Sequence, residues 1–110
     1  MNAARARKQQ VIPLGSTSEA TESMRVTERS TLSMQVSGTH TTGKIRLQWR
    51  LEGGDWLDAE DSEGADIEIT GEGIVRNVNV SGVDEVRPVV QTTESGKEAL
   101  VIMCAWGDER

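Results

Sequence analysis

The sequence predicts an all-β protein, an antiparallel β-sandwich of Ig-like or jelly-roll-like type. Short runs in which apolar and polar residues alternate indicate strands with one buried face. Eleven glycines and many Ser and Thr residues separate these runs, as tight turns require. Beyond residue 23 no stretch has the period of an amphipathic helix. The roughly seven or eight strands that result are spaced as in a sandwich or a small barrel.

The clearest element is a hairpin over residues 44–57. Its first strand, KIRLQWRL, alternates apolar with polar residues, and Gly53-Gly54 then predicts a two-residue turn with positive φ. This turn places Leu51 opposite Trp56 on the apolar face of the hairpin. Both Trp49 and Trp56 are therefore predicted to pack in the core.

Residues 1–23 are predicted to form an extended N-terminal arm, and residues 24–110 the β-sandwich domain. The arm begins with a basic segment, continues with the apolar VIPL and ends in a linker rich in Ser and Thr. Proline disfavours helix at the residue before it, so the apolar segment is expected to be extended. We expect the arm to leave the domain and to contact other chains through charged residues and an apolar anchor. The charged residues are Arg5, Arg7 and Lys8, and the anchor consists of Val11, Ile12 and Leu14.

The last predicted strand, residues 99–106, is apolar on both faces. A strand in a two-layer sandwich has one polar face unless something covers the second. We expect the larger residues of this strand to face the core and the smaller ones, with Val101 and Met103, to lie at a contact between subunits. The arm of the same chain, the arm of a neighbour or a second subunit's sheet could supply the cover. An intersubunit cover is favoured, and a homotrimer is predicted.

Charge and cysteine content exclude several functional classes. The net charge is −6, and residues 51–75 contain many carboxylates but no Lys or Arg, which argues against nucleic acid as a partner. No apolar run is long enough to span a membrane, and no secretory signal is expected. The single Cys104 cannot form an internal disulfide and is predicted to be a buried thiol. Folding in a reducing host cytoplasm is therefore expected.

No residue set predicts catalysis, a cofactor or a metal. The acidic loop of residues 58–63 could attract calcium, but it lacks EF-hand spacing, so a solvated loop is favoured. His40 is the only histidine and lies among Ser, Thr and Gly, without the partners of a metal site. A nucleophile with an adjacent base is also missing from the sequence motifs. The protein is expected not to be an enzyme.

Two segments carry a family resemblance. The first is SGTHTTG at 37–43 followed by IRLQWRLEGGDWLD, and the second is SGVDEVRP at 81–88 followed by TTESG and the terminal apolar strand. With these segments, residues 31–106 resemble small β-sandwich structural proteins of tailed bacteriophage virions. The likeness is one of turns and strands.

The resemblance implies a structural protein without a cofactor or an active site. The leading interpretation is a capsid decoration, or cement, protein on the capsid surface of the virion, which clamps neighbouring subunits of the major capsid protein. A module of a phage tail or fibre is the first alternative. A carbohydrate-binding module, in which Trp residues form sugar platforms, is the second.

Overall fold

The computed structural model describes residues 5–107, which form nine β-strands and no helix. The strands are β1 (Arg5–Pro13), β2 (Met24–Arg25), β3 (Thr31–Gly38), β4 (Lys44–Arg50), β5 (Leu57–Asp58), β6 (Glu68–Thr70), β7 (Gly73–Asn79), β8 (Glu85–Thr92) and β9 (Glu98–Trp106). Sheet 1 has the order β1-β9-β3-β7, and sheet 2 has the order β2-β8-β4-β5, with β6 also paired to β4. All these pairings are antiparallel, so the predicted antiparallel β-sandwich is confirmed.

The core lies between the two sheets and consists of the inward-facing side chains, which are every second residue along the strands. In sheet 1 the buried residues of β3 pair with buried residues of β9, for example Met34 with Met103 and Leu32 with Ala105. In sheet 2, Ile45 and Leu47 of β4 are fully buried. The buried apolar side chains are Val, Ile, Leu, Met and Ala, which fill the interior without a fully buried aromatic ring.

The N-terminal segment belongs to the sandwich, which corrects the expectation of an arm that leaves the domain. Residues 5–13 are extended, but as β1 they pair with β9 along their whole length, from Arg5 with Trp106 to Pro13 with Glu98. Ile12 is only 1% exposed and Leu14 is fully buried, so neither can serve as an anchor on another chain. The physical reason is that β1 covers an edge of β9 that would otherwise expose unpaired backbone groups. Residues 1–4 lie outside the described range.

The linker after β1 is held against the domain by specific hydrogen bonds. The side-chain amide of Gln10 donates to the carbonyl of Glu22 at 2.9 Å and accepts from its N–H at 2.9 Å. Lys8 forms an ion pair with the Glu22 carboxylate. Leu14 donates its N–H to the carbonyl of Lys97 and accepts from the N–H of Glu94. The polar linker between Leu14 and Glu22 is therefore bound to the domain at both of its ends.

The two apolar faces of β9 have the opposite orientation to the one expected. Val101 and Met103 are fully buried between the sheets, so they are not at a subunit contact. The larger residues of β9 point outward and are partly exposed; they are Leu100, Ile102, Cys104 and Trp106. Both faces of β9 are apolar, so its own pattern does not decide which one is buried. The register with β3 places Val101, Met103 and Ala105 beside the buried Val36, Met34 and Leu32. Cys104 is accordingly partly exposed rather than buried.

The hairpin after β4 is shifted by one residue from its predicted register. Trp49 pairs with Leu57, and the turn closes with a hydrogen bond from the N–H of Gly54 to the carbonyl of Leu51 at 2.9 Å. Only Gly53 of the glycine pair has a positive φ, of 83°. A one-residue shift moves side chains to the other face of a sheet, and Trp56 consequently lies on the outer face rather than in the core.

Candidate interaction surfaces

The outer face of sheet 1 carries a row of exposed and partly exposed apolar side chains, which we call the outer apolar strip. Its centre is the outward row of β9. Val11 of β1 pairs with Leu100 and is 56% exposed, and Ile74 of β7 is 55% exposed next to Gln35 of β3. The strip consists of Val11, Ile74, Leu100, Ile102, Cys104 and Trp106. The apolar surface is continuous along β9 and Val11, whereas Gln35 of β3 lies between Ile102 and Ile74. Contiguous apolar surface is typical of a contact with another molecule.

The two ends of the outer apolar strip carry opposite charges. At one end Arg5 pairs with Trp106 and Arg7 with Cys104, and within residues 5–107 neither guanidinium forms an ion pair. At the other end Glu98 pairs with Pro13 and is exposed. A partner would therefore be oriented by charge along the strip.

The residues predicted as interface residues fall into three places. Arg5, Arg7 and Val11 lie on the outer apolar strip or at its basic end. Lys8 is paired with Glu22 beside it. The other four, Ile12, Leu14, Val101 and Met103, lie in the core. The sequence analysis missed the outward residues of β9 as contact residues, because it assigned this face to the core.

The outer face of sheet 2 is a network of paired charges. Arg46 lies at its centre, 3.0 Å from the carboxylates of Asp58 and Glu68 and 3.4 Å from that of Asp66. Lys44 lies 3.2 Å from Glu68. Burial raises the pKa of Glu68, but the hydrogen bonds from Arg46 and Lys44 outweigh it and hold this pKa below its usual value. The charged side chains of this network pair with one another, so they do not need a binding partner to supply the opposite charge.

Trp56 lies between two guanidinium groups on the same face. The Arg50 group is 4.5 Å and the Arg87 group 4.4 Å from the ring centroid, within the range of cation–π attraction. Arg50 also pairs with Glu85 at 2.9 Å, whereas Arg87 donates to the side-chain carbonyl of Gln48. Burial, and then repulsion by Arg50, lower the pKa of Arg87. The aromatic ring thus separates two like charges.

The acidic loop is organised by hydrogen bonds within itself and by ion pairs. Asp61 accepts from the N–H groups of Glu63 and Ala65 at 2.8 and 3.0 Å. Asp58, the first residue of the loop, and Asp66, three residues after it, pair with Arg46. Within residues 5–107, no group of three or more His, Cys, Asp or Glu side chains is arranged to hold a metal ion.

His40 is a buried structural residue. It is 3% exposed, and its Nε2 donates to the carbonyl of Gly71 at 2.8 Å, because a carbonyl can only accept. Its Nδ1 is buried without a partner among the described residues. A Cβ atom on Gly38 would lie 3.0 Å from this Nδ1 and 2.8 Å from the carbonyl of Glu98, so glycine is needed there for close packing.

A cleft opens at one side of the sandwich, between β7 and the acidic loop. Its volume is about 450 Å³, and Trp49 forms one wall. The polar residues around it are Glu60, Asp61, Ser62, Arg76, Asn77 and Asn79. The sequence predicted Trp49 to pack in the core; the ring does pack against the core, but it is partly exposed and also borders this cleft.

Comparisons with known proteins show a likeness in fold. No family model matches the chain, and no curated protein matches it. Among solved structures, the crystal structure of SPBc2 prophage-derived protein YomS is similar with a TM-score of 0.64 and 15% sequence identity, over 97% of this chain and 98% of that chain. The chain has the fold of a prophage-derived protein. At this identity the likeness establishes the fold alone, and it extends over nearly the full length of both chains.

No helix in the part of the chain that the structure describes is long and apolar enough to cross a membrane.

Proposed function

We propose that this protein is a non-enzymatic structural protein of a phage virion, and more specifically a capsid decoration protein that binds the major capsid protein. It would be made in the host cytoplasm and act at the capsid surface. The fold shared with a prophage-derived protein supports a phage origin. The resemblance of residues 31–106 to β-sandwich proteins of tailed phages supports a virion role.

The outer apolar strip is the observation that carries the proposal. Exposed apolar side chains cost about 25 cal/mol per Å² of area left in water, and a protein partner removes that cost. A stable protein–protein contact buries about 800 Å² on each partner, and the surface that we propose for it is the outer face of the four-stranded sheet 1. The basic end at Arg5 and Arg7 and the acidic end at Glu98 would fix the orientation of the contact on a capsid subunit.

The same surface could also serve self-association. The homotrimer predicted from β9 loses its original argument, because Val101 and Met103 are buried within the subunit. The outward residues of β9 now provide the surface that a second copy could use. The homotrimer therefore stays a prediction, and the occupant that we propose for the outer apolar strip is the major capsid protein.

A binding experiment with empty capsids tests the proposal. Capsids assembled from the major capsid protein of the same phage, without this chain, are mixed with the purified protein and sedimented. We expect the wild type to co-sediment and Ile102→Lys, which places a charge at the centre of the strip, to lose binding at least tenfold. Leu57→Lys is the matched control, since Leu57 is 64% exposed on the other sheet. Both variants are expected to keep the wild-type circular dichroism spectrum.

Three results would count against the proposal. Wild-type protein that stays in the supernatant would remove the capsid as partner. Equal binding by wild type and Ile102→Lys would remove the outer apolar strip as the contact surface. Binding to purified tails or fibres instead of capsids would favour the tail module. Sedimentation equilibrium of the isolated protein decides the oligomeric state separately.

A further inference from the structure

We propose that the cleft beside Trp49 binds a neutral saccharide. This inference is independent of the capsid contact, because the cleft lies between the edges of the two sheets and not on the outer face of sheet 1. Its volume of about 450 Å³ falls within the range of small-molecule sites. An aromatic wall and several converging polar groups are also the composition of such sites.

The apolar wall comes from the end of β4. Trp49 faces inward between Leu57 of β5 and Val86 of β8, with which it pairs. The neighbouring strands leave part of its ring uncovered, and Ile67 and Val75 continue the apolar surface into the cleft. An indole ring offers a flat apolar face on which the C–H face of a sugar ring can stack.

A β-bulge in β7 supplies polar groups on one side of the cleft. Leu32 pairs with Val78, but Met34 pairs with Val75, so two residues of β7 oppose one residue of β3. Arg76 and Asn77 are the two residues that lie opposite Ser33, so β7 has one extra residue here, and Asn77 has a φ of 61°. A bulge interrupts the alternation of side chains and can redirect them, and both residues line the cleft. Within residues 5–107 their side chains make no hydrogen bond, so they are available to a ligand.

The acidic loop forms the opposite side. Glu60, Asp61 and Ser62 line it, and the two hydrogen bonds that Asp61 Oδ1 accepts from within the loop hold this wall in place. Two carboxylates against the single guanidinium of Arg76 make the cleft unfavourable for a phosphate or another anion. A neutral ligand with many hydroxyl groups can use both carboxylates as acceptors and the Asn77 amide as donor and acceptor. A neutral sugar meets these requirements.

Trp49 also borders a second cleft, which indicates a ligand longer than one sugar unit. This second cleft has a volume of about 440 Å³ and is lined by Leu51, Leu57 and Val83 near the hairpin turn. Trp49 lines both clefts, so we infer that a short oligosaccharide that binds in the first cleft also reaches the second. We therefore expect oligosaccharides to bind more tightly than the corresponding monosaccharides.

The test combines a glycan array with nuclear magnetic resonance of the full-length protein. The array carries neutral and acidic oligosaccharides, and the best neutral ligand is then titrated into ¹⁵N-labelled protein. The three Trp residues give separate indole N–H signals, which Trp→Phe variants assign. We expect the Trp49 signal to shift on titration and the Trp106 signal, on the outer face of sheet 1, to stay in place.

Asn77→Gly is the variant that tests the polar side of the cleft. Glycine adopts the left-handed backbone of this position without strain, so the variant should fold, while the ligand loses one hydrogen-bonding amide. We expect its affinity to fall about tenfold, which is in the range of one hydrogen bond. Ile102→Lys is the control, since it should lose capsid binding but keep saccharide binding. This pair of variants distinguishes failure of the saccharide site from failure of the capsid contact.

Four outcomes of these experiments would overturn the proposed saccharide site. These outcomes are no binding to any neutral oligosaccharide, binding of acidic glycans only, a shift of Trp56 or Trp106 without a shift of Trp49, and unchanged affinity in Asn77→Gly.

Discussion

The carboxylate of Glu94 accepts a hydrogen bond from the N–H of Gly43 at 2.8 Å, and this contact joins the loop after β3 to the loop after β8. The same oxygen accepts from the N–H groups of Thr42 and Thr41 at 2.7 and 2.9 Å and from the Thr42 hydroxyl at 3.1 Å. The donors, with Gly43 first, stabilise the charged carboxylate and lower the pKa of Glu94 from 4.5 to about 2. Since the N–H of Glu94 also binds Leu14, three segments meet here.

We predict that Glu94 makes the stability of the protein sensitive to acid. Its pKa is lower in the folded than in the unfolded state, so its contribution is fully present above about pH 4.5 and is lost as the pH falls towards 2. Glu94→Gln should lower the melting temperature at pH 7 and flatten its decline between pH 4.5 and 2. Thermal denaturation followed by circular dichroism across this range measures both effects.

Glu63→Gln is the matched control, because Glu63 is exposed in the acidic loop and its side chain makes no hydrogen bond within residues 5–107. Its melting temperature should follow the wild type at each pH. Parallel curves for the wild type and Glu94→Gln would contradict the proposed role of this carboxylate.

Trp56 is predicted to stabilise sheet 2 from its outer face. Trp56→Ala removes two cation–π contacts, each of about 0.5–1 kcal/mol, and leaves the charges of Arg50 and Arg87 without the ring between them. We expect the free energy of unfolding to fall by about 1–3 kcal/mol in urea denaturation. Trp56→Phe keeps a ring at the same place and should recover part of this loss. Unchanged stability in Trp56→Ala would show that the ring is not held between the two arginines.

The sequence predicted the sandwich because most of its strands bury one face. In β3, β4 and β8, apolar residues occupy every second position and the structure buries them, so the alternation alone identified these strands. β1 was missed because its inward positions include Lys8 and Gln10, which lie at an open edge. There they bind Glu22 instead of packing in the core. These contacts depend on Glu22, which is twelve or more positions away in the sequence. The sequence of β1 therefore lacks the alternation of apolar and polar residues that identifies the other strands.

The candidate surfaces were harder to predict than the strands. β9 is apolar on both faces, and its inner face is set by the register in which it pairs with β3. The face on which Trp56 lies depends on the register of the hairpin. The pair Gly53-Gly54 does not decide this register, because two glycines allow both the predicted turn and the observed turn, which is shifted by one residue. The cleft combines Trp49 with Asn77, which come together only through the packing of the two sheets.

The N-terminal segment, which comprises β1 and the following Leu14, is predicted to be essential for folding. Leu14 is fully buried, and Leu14→Ala should lower the free energy of unfolding by about 2–5 kcal/mol, as expected for a cavity in a core. Val11→Ala is the control on the same segment: Val11 is 56% exposed and its loss should change stability by no more than about 0.5 kcal/mol. A truncated chain that begins at Met24 should lack a cooperative unfolding transition. A truncated chain with the wild-type transition would mean that β1 is dispensable.

The two faces of β9 provide the most direct test of the architecture. Met103 is fully buried, so Met103→Ala should cost about 2–5 kcal/mol, and Met103→Lys should prevent folding because it buries an unpaired charge. Ile102, the next residue, points outward and is partly exposed, so Ile102→Ala should cost less than Met103→Ala and Ile102→Lys should still fold. Urea denaturation of the four variants measures the difference. If instead Ile102→Lys failed to fold and Met103→Lys folded, the faces of β9 would be exchanged. The outer apolar strip would then lose its central residue, and the proposed capsid contact would lose its basis.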